Sequence, residues 1–295
     1  MTTYDLRPLS LGEILDRTFS LYRKNFALFA GITAIPYLLF LAFGLAQVLL
    51  VTVPNVPRVP IEPPQLQADS AFNVGAMAFG LLIGLAAVIV AFIAYLLAQG
   101  ATVFAVSELH LGRTTTIGAS FRRVRGELGT LFGVMILSGL AIGGGFILLI
   151  IPGIYIACRL AVCVPAAILE DLGPRTSLER SFALTKDNAG RAFLIYLLYI
   201  VLAFVAAGLF KWPFFFMIMA NAKNPQGMRV WLALLQVGNF FASALVGPVL
   251  TIATSLLYYD LRVRKEAFDL QMMMGALDGG MPPRPAAGGA PSMFS

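Results

Sequence analysis

Three times along this 295-residue chain, a short amphipathic segment carrying basic residues runs directly into a long uncharged hydrophobic stretch. The segments cover roughly residues 10–25, 116–128 and 176–188. No charged residue occurs between Asp69 and Glu108, Glu127 and Arg159, Arg191 and Lys211, or Arg229 and Asp260. A helix needs about 20 apolar residues to cross about 30 Å of hydrocarbon, and most of these gaps are that long. Backbone in lipid must satisfy its own hydrogen bonds, which leaves helices or closed barrels. The runs lack the alternation of barrel strands. Composition agrees, at 59% apolar and 12% charged, against a soluble norm of about half and about a quarter. The pattern predicts an all-α polytopic helical membrane protein. About six transmembrane helices should form three hairpins, each preceded by an amphipathic interfacial helix.

Local signals place these elements. Ser10 and Glu13 have the spacing of a capping box, in which each side chain satisfies an exposed backbone donor. Leu11, Ile14, Leu15, Thr18, Phe19 and Tyr22 then recur at helical spacing, with Asp16, Arg17, Arg23 and Lys24 elsewhere on the surface. The first span is expected over about residues 26–53, kinked at Pro36. Pro54, Pro57, Pro60, Pro63 and Pro64 predict an extended connection. A second helix starts near Ala71 and stays uncharged to Glu108; it is expected to protrude as one long helix rather than bend at Gln99-Gly100.

The second unit opens with Thr116, Ile117, Phe121, Val124 and Leu128 on one face, beside Arg122, Arg123 and Arg125. Spans three and four are expected over about residues 130–151 and, past the turn at Pro152-Gly153, the 17 or so residues to Leu169. Thr176 to Glu179 repeats the capping-box spacing before Leu178 and Phe182. Span five covers about residues 192–210. Lys211-Trp212-Pro213 and a short hydrophobic piece then precede span six, at about residues 230–259 with a bend near Gly247-Pro248. Residues 1–275 read as one integral membrane domain, and 276–295 as a disordered Gly/Pro-rich tail. Leu15, Phe19 and Leu21 align with Leu178, Phe182 and Leu184 at an offset of 163, and Ile117 and Phe121 align at 102. Apolar periodicity alone could produce either alignment.

Six spans place both termini on one side, with the 108–130 and 170–191 connections. That side holds 16 of the 21 Lys and Arg residues; Arg58, Lys211, Lys223 and Arg229 face the other, and Arg159 is left within a span. The positive-inside rule then places the termini in the cytoplasm. The expected partners are lipids of the anionic cytoplasmic leaflet, at Arg17, Arg23, Lys24, Arg122, Arg123, Arg125, Arg180 and Lys186. A membrane-protein partner is also expected. Nucleic acid is not, because no separate basic domain with interleaved aromatics exists.

Arg159 is the most informative single residue, since a charge within a span costs about 2.5–3.5 kcal/mol even on the mild insertion scale. It would serve either as a site for an anionic headgroup or substrate, or as a structural group paired with a carboxylate or helix-end carbonyls or snorkelling to an interface. Asn239, inside span six, must find a partner on another helix. Small residues at four-spacing (Gly80/Gly84, Gly139/Gly143, Ser243/Gly247) are read as packing devices within the bundle. Glu108, His110 and Arg113 are read as interfacial groups at a helix exit, and Cys158 and Cys163 as buried small residues. One histidine is too few for a zinc site, and no phosphate loop or nucleophile–base pair occurs. No cofactor, metal ligand or catalytic residue is expected.

Four stretches resemble the glycerophosphoryl diester phosphodiesterase membrane-domain family. They are Leu6-Arg-Pro-Leu-Ser-Leu-Gly-Glu-Ile-Leu-Asp-Arg-Thr-Phe-Ser-Leu-Tyr-Arg-Lys-Asn-Phe26, Ile151-Pro-Gly-Ile-Tyr155 with Arg159, Leu178-Glu-Arg-Ser-Phe-Ala-Leu-Thr185, and Leu256-Leu-Tyr-Tyr-Asp-Leu-Arg-Val-Arg-Lys265. The resemblance covers roughly residues 5–270. It implies a bacterial or archaeal inner-membrane helical domain with no assigned chemistry, joined in some members to a soluble phosphodiesterase barrel. Such a barrel needs on the order of 250 residues, and its chemistry uses paired histidines with a carboxylate cluster. Neither is present here, so no phosphodiesterase activity is expected. Two functions remain: a non-enzymatic module that organises lipid or a partner, or a small-solute or lipid transporter with a midplane site near Arg159 and Asn239.

Overall fold

The computed structural model describes residues 9–50, 74–221 and 224–266. The Pro-rich connection, Arg58, Lys223 and the tail at 276–295 lie outside the described residues. Helix α1 (Leu11–Lys24) starts on the capping box: the Glu13 N–H donates to the Ser10 hydroxyl at 3.3 Å, and the Ser10 N–H donates to the Glu13 carboxylate at 2.7 Å. After Asn25 the chain enters α2 (Phe26–Leu50), which runs through Pro36. Helix α3 (Val74–His110) is unbroken at Gln99-Gly100, as expected. Thr116 caps α4 (Ile117–Val124) by accepting from the Ala119 N–H, and a single 3-10 turn leads into α5 (Leu128–Leu148).

The remaining helices are α6 (Ile150–Arg159), α7 (Cys163–Leu169), α8 (Pro174–Thr185), α9 (Ala189–Phe210), α10 (Trp212–Ala220) and α11 (Pro225–Glu266). Six segments are long and apolar enough to cross a membrane, so the chain is an all-α, multi-pass membrane protein.

Two expectations need correction. The fourth span is two helices rather than one, with a break at Leu160–Val162. Pro165 has no N–H to bond the Ala161 carbonyl and its ring crowds that carbonyl, which favours a break here, whereas Pro36 and Pro248 are carried within α2 and α11. The Arg159 carbonyl, left without a helical donor, accepts instead from the Ser181 and Thr185 hydroxyls at 2.8 and 2.9 Å. The second capping box does not form, because α8 starts earlier, with Pro174 in its first turn and Gly173 as its cap. Glu179 pairs with Arg175 one turn back. The short hydrophobic piece after Lys211 is helix α10, begun by Pro213 in its first turn.

The threefold pattern holds in register. Helices α2, α5 and α9 begin at Phe26, Leu128 and Ala189, separated by the same 102 and 163 residues as the sequence alignment. Helices α1 and α8 begin at Leu11 and Pro174, again 163 apart. Thr18, Ser120 and Ser181, equivalent in the three units, are each 0% exposed. Thr18 and Ser120 donate to the carbonyl four residues back, whereas Ser181 donates to Arg159 on α6. One physical unit therefore recurs, a short amphipathic helix with a buried hydroxyl feeding a long apolar helix.

Helix α11 forms the axis of the bundle, packing against α1, α2, α3, α7, α8, α9 and α10. Thr251 meets Gln99, and Tyr259 meets Ser107, both at a separation of 152 residues, so α3 and α11 run parallel. The main core lies at the basic end and includes Ile14, Phe29, Ile32, Ala101, Ala105, Leu257 and Leu261. A side chain at Gly238 would run into the Phe210 carbonyl, so glycine is required where α11 crosses the end of α9. Gly145 on α5 likewise faces Gly153 on α6, which lets the two arms of that hairpin touch. Gly247 packs on Tyr37, as a packing device should. Gly139 and Gly143 do not fit that reading, because a side chain at either would meet nothing. Large apolar side chains cover the outside, most fully at the tip of the α5–α6 hairpin, where Ile147 is 88% exposed.

Candidate functional site

Arg159 ends α6 at the break before α7. Its guanidinium donates to the Phe182 carbonyl at 2.6 Å, to the Tyr155 hydroxyl at 2.9 Å and to the Thr185 hydroxyl at 3.2 Å. It also lies over the rings of Phe182 and Tyr155, at 5.1 and 5.7 Å from their centroids. Phe182 is in the last turn of α8, where carbonyls lack helical donors and the helix dipole favours a cation. Arg159 therefore ties α6 to the end of α8 through helix-end carbonyls, one of the structural arrangements expected for it.

Asn239 is elsewhere, on α11, and the two are not in one site. Its amide donates to Gln236 on the same helix at 3.5 Å rather than to another helix. The expected midplane site near both residues does not form around them: Asn239 lines an outer cavity, and Arg159 does not.

The basic end holds two ionic clusters that the sequence did not single out. Asp260 on α11, with its side chain fully buried, accepts from the Leu9 N–H at 2.7 Å, from Arg191 at 2.6 Å and from Arg264 at 2.9 Å. Arg191 and Arg264 also donate to the Leu9 carbonyl, so one carboxylate and two guanidiniums clamp the chain just before α1. In the second cluster Glu170 accepts from Tyr258 at 2.7 Å and from Arg180 at 2.9 Å. Arg180 and Arg262 share Glu266. Arg180 is thus held in ion pairs, not presented to lipid as the sequence reading had it. Tyr22 on α1 donates to the Leu245 carbonyl, and burial pushes its phenol up to about 12.

The other expected headgroup contacts divide by exposure. Arg23, Lys24, Arg122, Arg123, Arg125 and Lys186 are exposed on the rim formed by α1, α4 and the end of α8, with Arg123 paired to Asp171 at 3.2 Å. Arg17 is half-buried, near His110. His110 stacks on Tyr259, and Glu108 pairs with Arg113 at 3.6 Å, as interfacial groups should.

Between the two ends lie two cavities that share Tyr37 as a wall. The inner one, about 240 Å³, is lined by Tyr37, Tyr95, Gln99, Tyr196, Tyr199 and Thr251 among others, together with the broken stretch around Leu160 and Ala161. The outer one, about 310 Å³, carries Gln47, Gln236 and Asn239 beside Phe40, Phe43 and Phe240. Arg159 lines neither. No ionisable Asp, Glu, Lys, Arg or His lies among the described residues lining them. Nor do the described residues contain a group of three or more His, Cys, Asp or Glu placed to hold a metal ion. Both cysteines are buried and unbridged. No protein-family model, curated protein or solved structure matches this chain.

Proposed function

We propose that this chain is a non-enzymatic inner-membrane module that organises anionic lipid, or a partner protein held through it, around a basic cytoplasmic collar. The observation that carries this reading is the division among the cations at the basic end. Arg180, Arg191, Arg262 and Arg264 are committed to carboxylates inside the bundle. Arg23, Lys24, Arg122, Arg125 and Lys186 remain exposed on one rim. Each basic residue near an anionic surface adds about 1 kcal/mol of attraction. In this reading the termini face the cytoplasm, and the resemblance to the phosphodiesterase-associated membrane domains extends to the membrane part without its chemistry.

Thermal unfolding in nanodiscs of phosphatidylglycerol against phosphatidylcholine tests it. Higher stability in the anionic lipid is expected, reduced by salt and by replacing Arg122, Arg123 and Arg125 with Gln. Equal stability in both lipids would refute it. Transport is the second reading, favoured by two cavities within the bundle with Tyr37 as a shared wall.

A further inference from the structure

We infer that the inner cavity is a binding site for the headgroup of a neutral, membrane-soluble molecule bearing carbonyl oxygens. The cavity lies among α2, α3, α5, α7, α9 and α11, within the membrane-crossing part of the bundle. Its walls offer hydrogen-bond donors without charge. Gln99 is held by Thr251, which donates to its carbonyl at 2.6 Å, and by Tyr95. The hydroxyls of Tyr37, Tyr196 and Tyr199 find no hydrogen-bond partner among the described residues, although all three line the cavity. None of the three hydroxyls is sealed off: each opens onto the cavity, so its O–H is free to donate to an acceptor that enters.

The ligand's charge follows from the same walls. An ion would lose its hydration without meeting a counter-charge, which is prohibitive in a low-dielectric site. Volume sets the scale: a cavity of about 150 Å³ holds benzene, so the space here takes a substituted ring or a glycerol-ester head. The outer cavity shares Tyr37 as a wall and is lined by Phe40, Phe43 and Phe240, an apolar surface beside the head for an attached chain, with Phe40 exposed on the outer surface. Carbonyl oxygens on a neutral head with an apolar tail occur in quinones and in diacylglycerols.

Both sources are tested in parallel on the full chain in detergent, using a decyl-substituted benzoquinone and dioctanoylglycerol as probes. Affinity is read from the concentration dependence of the unfolding temperature, because a ligand of the folded state stabilises by mass action. The variant carries Tyr37→Phe and Tyr199→Phe, which keep the rings and delete two unpartnered hydroxyls. Its ligand-free stability should match the parent, while affinity falls about tenfold for two lost hydrogen bonds. Binding of the quinone alone, the diacylglycerol alone or both, with that loss in the variant, supports the site and identifies its source. Absence of binding by either probe, or equal affinity in parent and variant, overturns it. Neither result depends on the basic rim.

Discussion

The two polar regions of this bundle are built on opposite rules. At the basic end, the polar groups that leave water find partners within the chain: Asp260 accepts from three donors, and Glu170 from Arg180 and Tyr258. Between α2, α3, α9 and α11, three phenols face a cavity with no partner among the described residues. Saturated networks rigidify a fold, whereas unsatisfied donors hold it open to a ligand. The basic end and the cavity between the helices are therefore distinguished by how far their polar groups are partnered within the chain.

The sharpest way to break the comparison is at Asp260. Asp260→Ala leaves Arg191, Arg264 and the Leu9 N–H without their shared acceptor. The expected loss is about 3–5 kcal/mol, the cost of stranding buried charge, read as a collapse in folded yield and unfolding temperature in detergent. A loss under about 1 kcal/mol would mean the clamp on Leu9 is not structural. Arg159→Leu comes next. It removes two hydrogen bonds from α6 to α8 and one within α6, but the group is partly exposed, so about 1–3 kcal/mol is expected. Arg159→Lys should restore only part of this, since an ammonium cannot repeat the planar fork. Unchanged stability in the Leu variant would move Arg159 from architecture to ligand.

Much of the basic end was legible in the sequence, and the middle was not. Capping residues, charge-free runs and basic clusters act locally, so Ser10 with Glu13, Thr116 and the helix starts at Phe26, Leu128 and Ala189 could be read from spacing. Arg159 drew attention because it interrupts an apolar run. Pro165 carried the signal for the break in the fourth span, outweighed by the continuity of hydrophobic residues around it. Asp260 lay inside a motif but gave no sign that it reaches Leu9, 251 residues away. The cavity was invisible for a different reason: tyrosines and glutamine in apolar helices look like ordinary packing until α3 and α11 are seen side by side.

Smaller effects sharpen the contrast. Gln99→Leu strands the Thr251 hydroxyl and is expected to cost about 1 kcal/mol, measured as a shift in unfolding temperature. A neutral result would extend the unsatisfied region to Gln99. Tyr37→Phe should change stability by less than about 0.5 kcal/mol, since no bond is lost. A larger destabilisation would show that the hydroxyl has a partner and would remove it from the binding argument.

The collar is tested most directly by weighing what it holds. Native mass spectrometry of the chain released gently from its membrane should find anionic phospholipid retained in preference to zwitterionic lipid. A variant with Arg23, Lys24, Arg122, Arg123, Arg125 and Lys186 replaced by Gln should lose that preference while remaining folded, because these side chains lie outside the two buried ionic clusters. Identical lipid inventories for the parent and this variant would contradict the account.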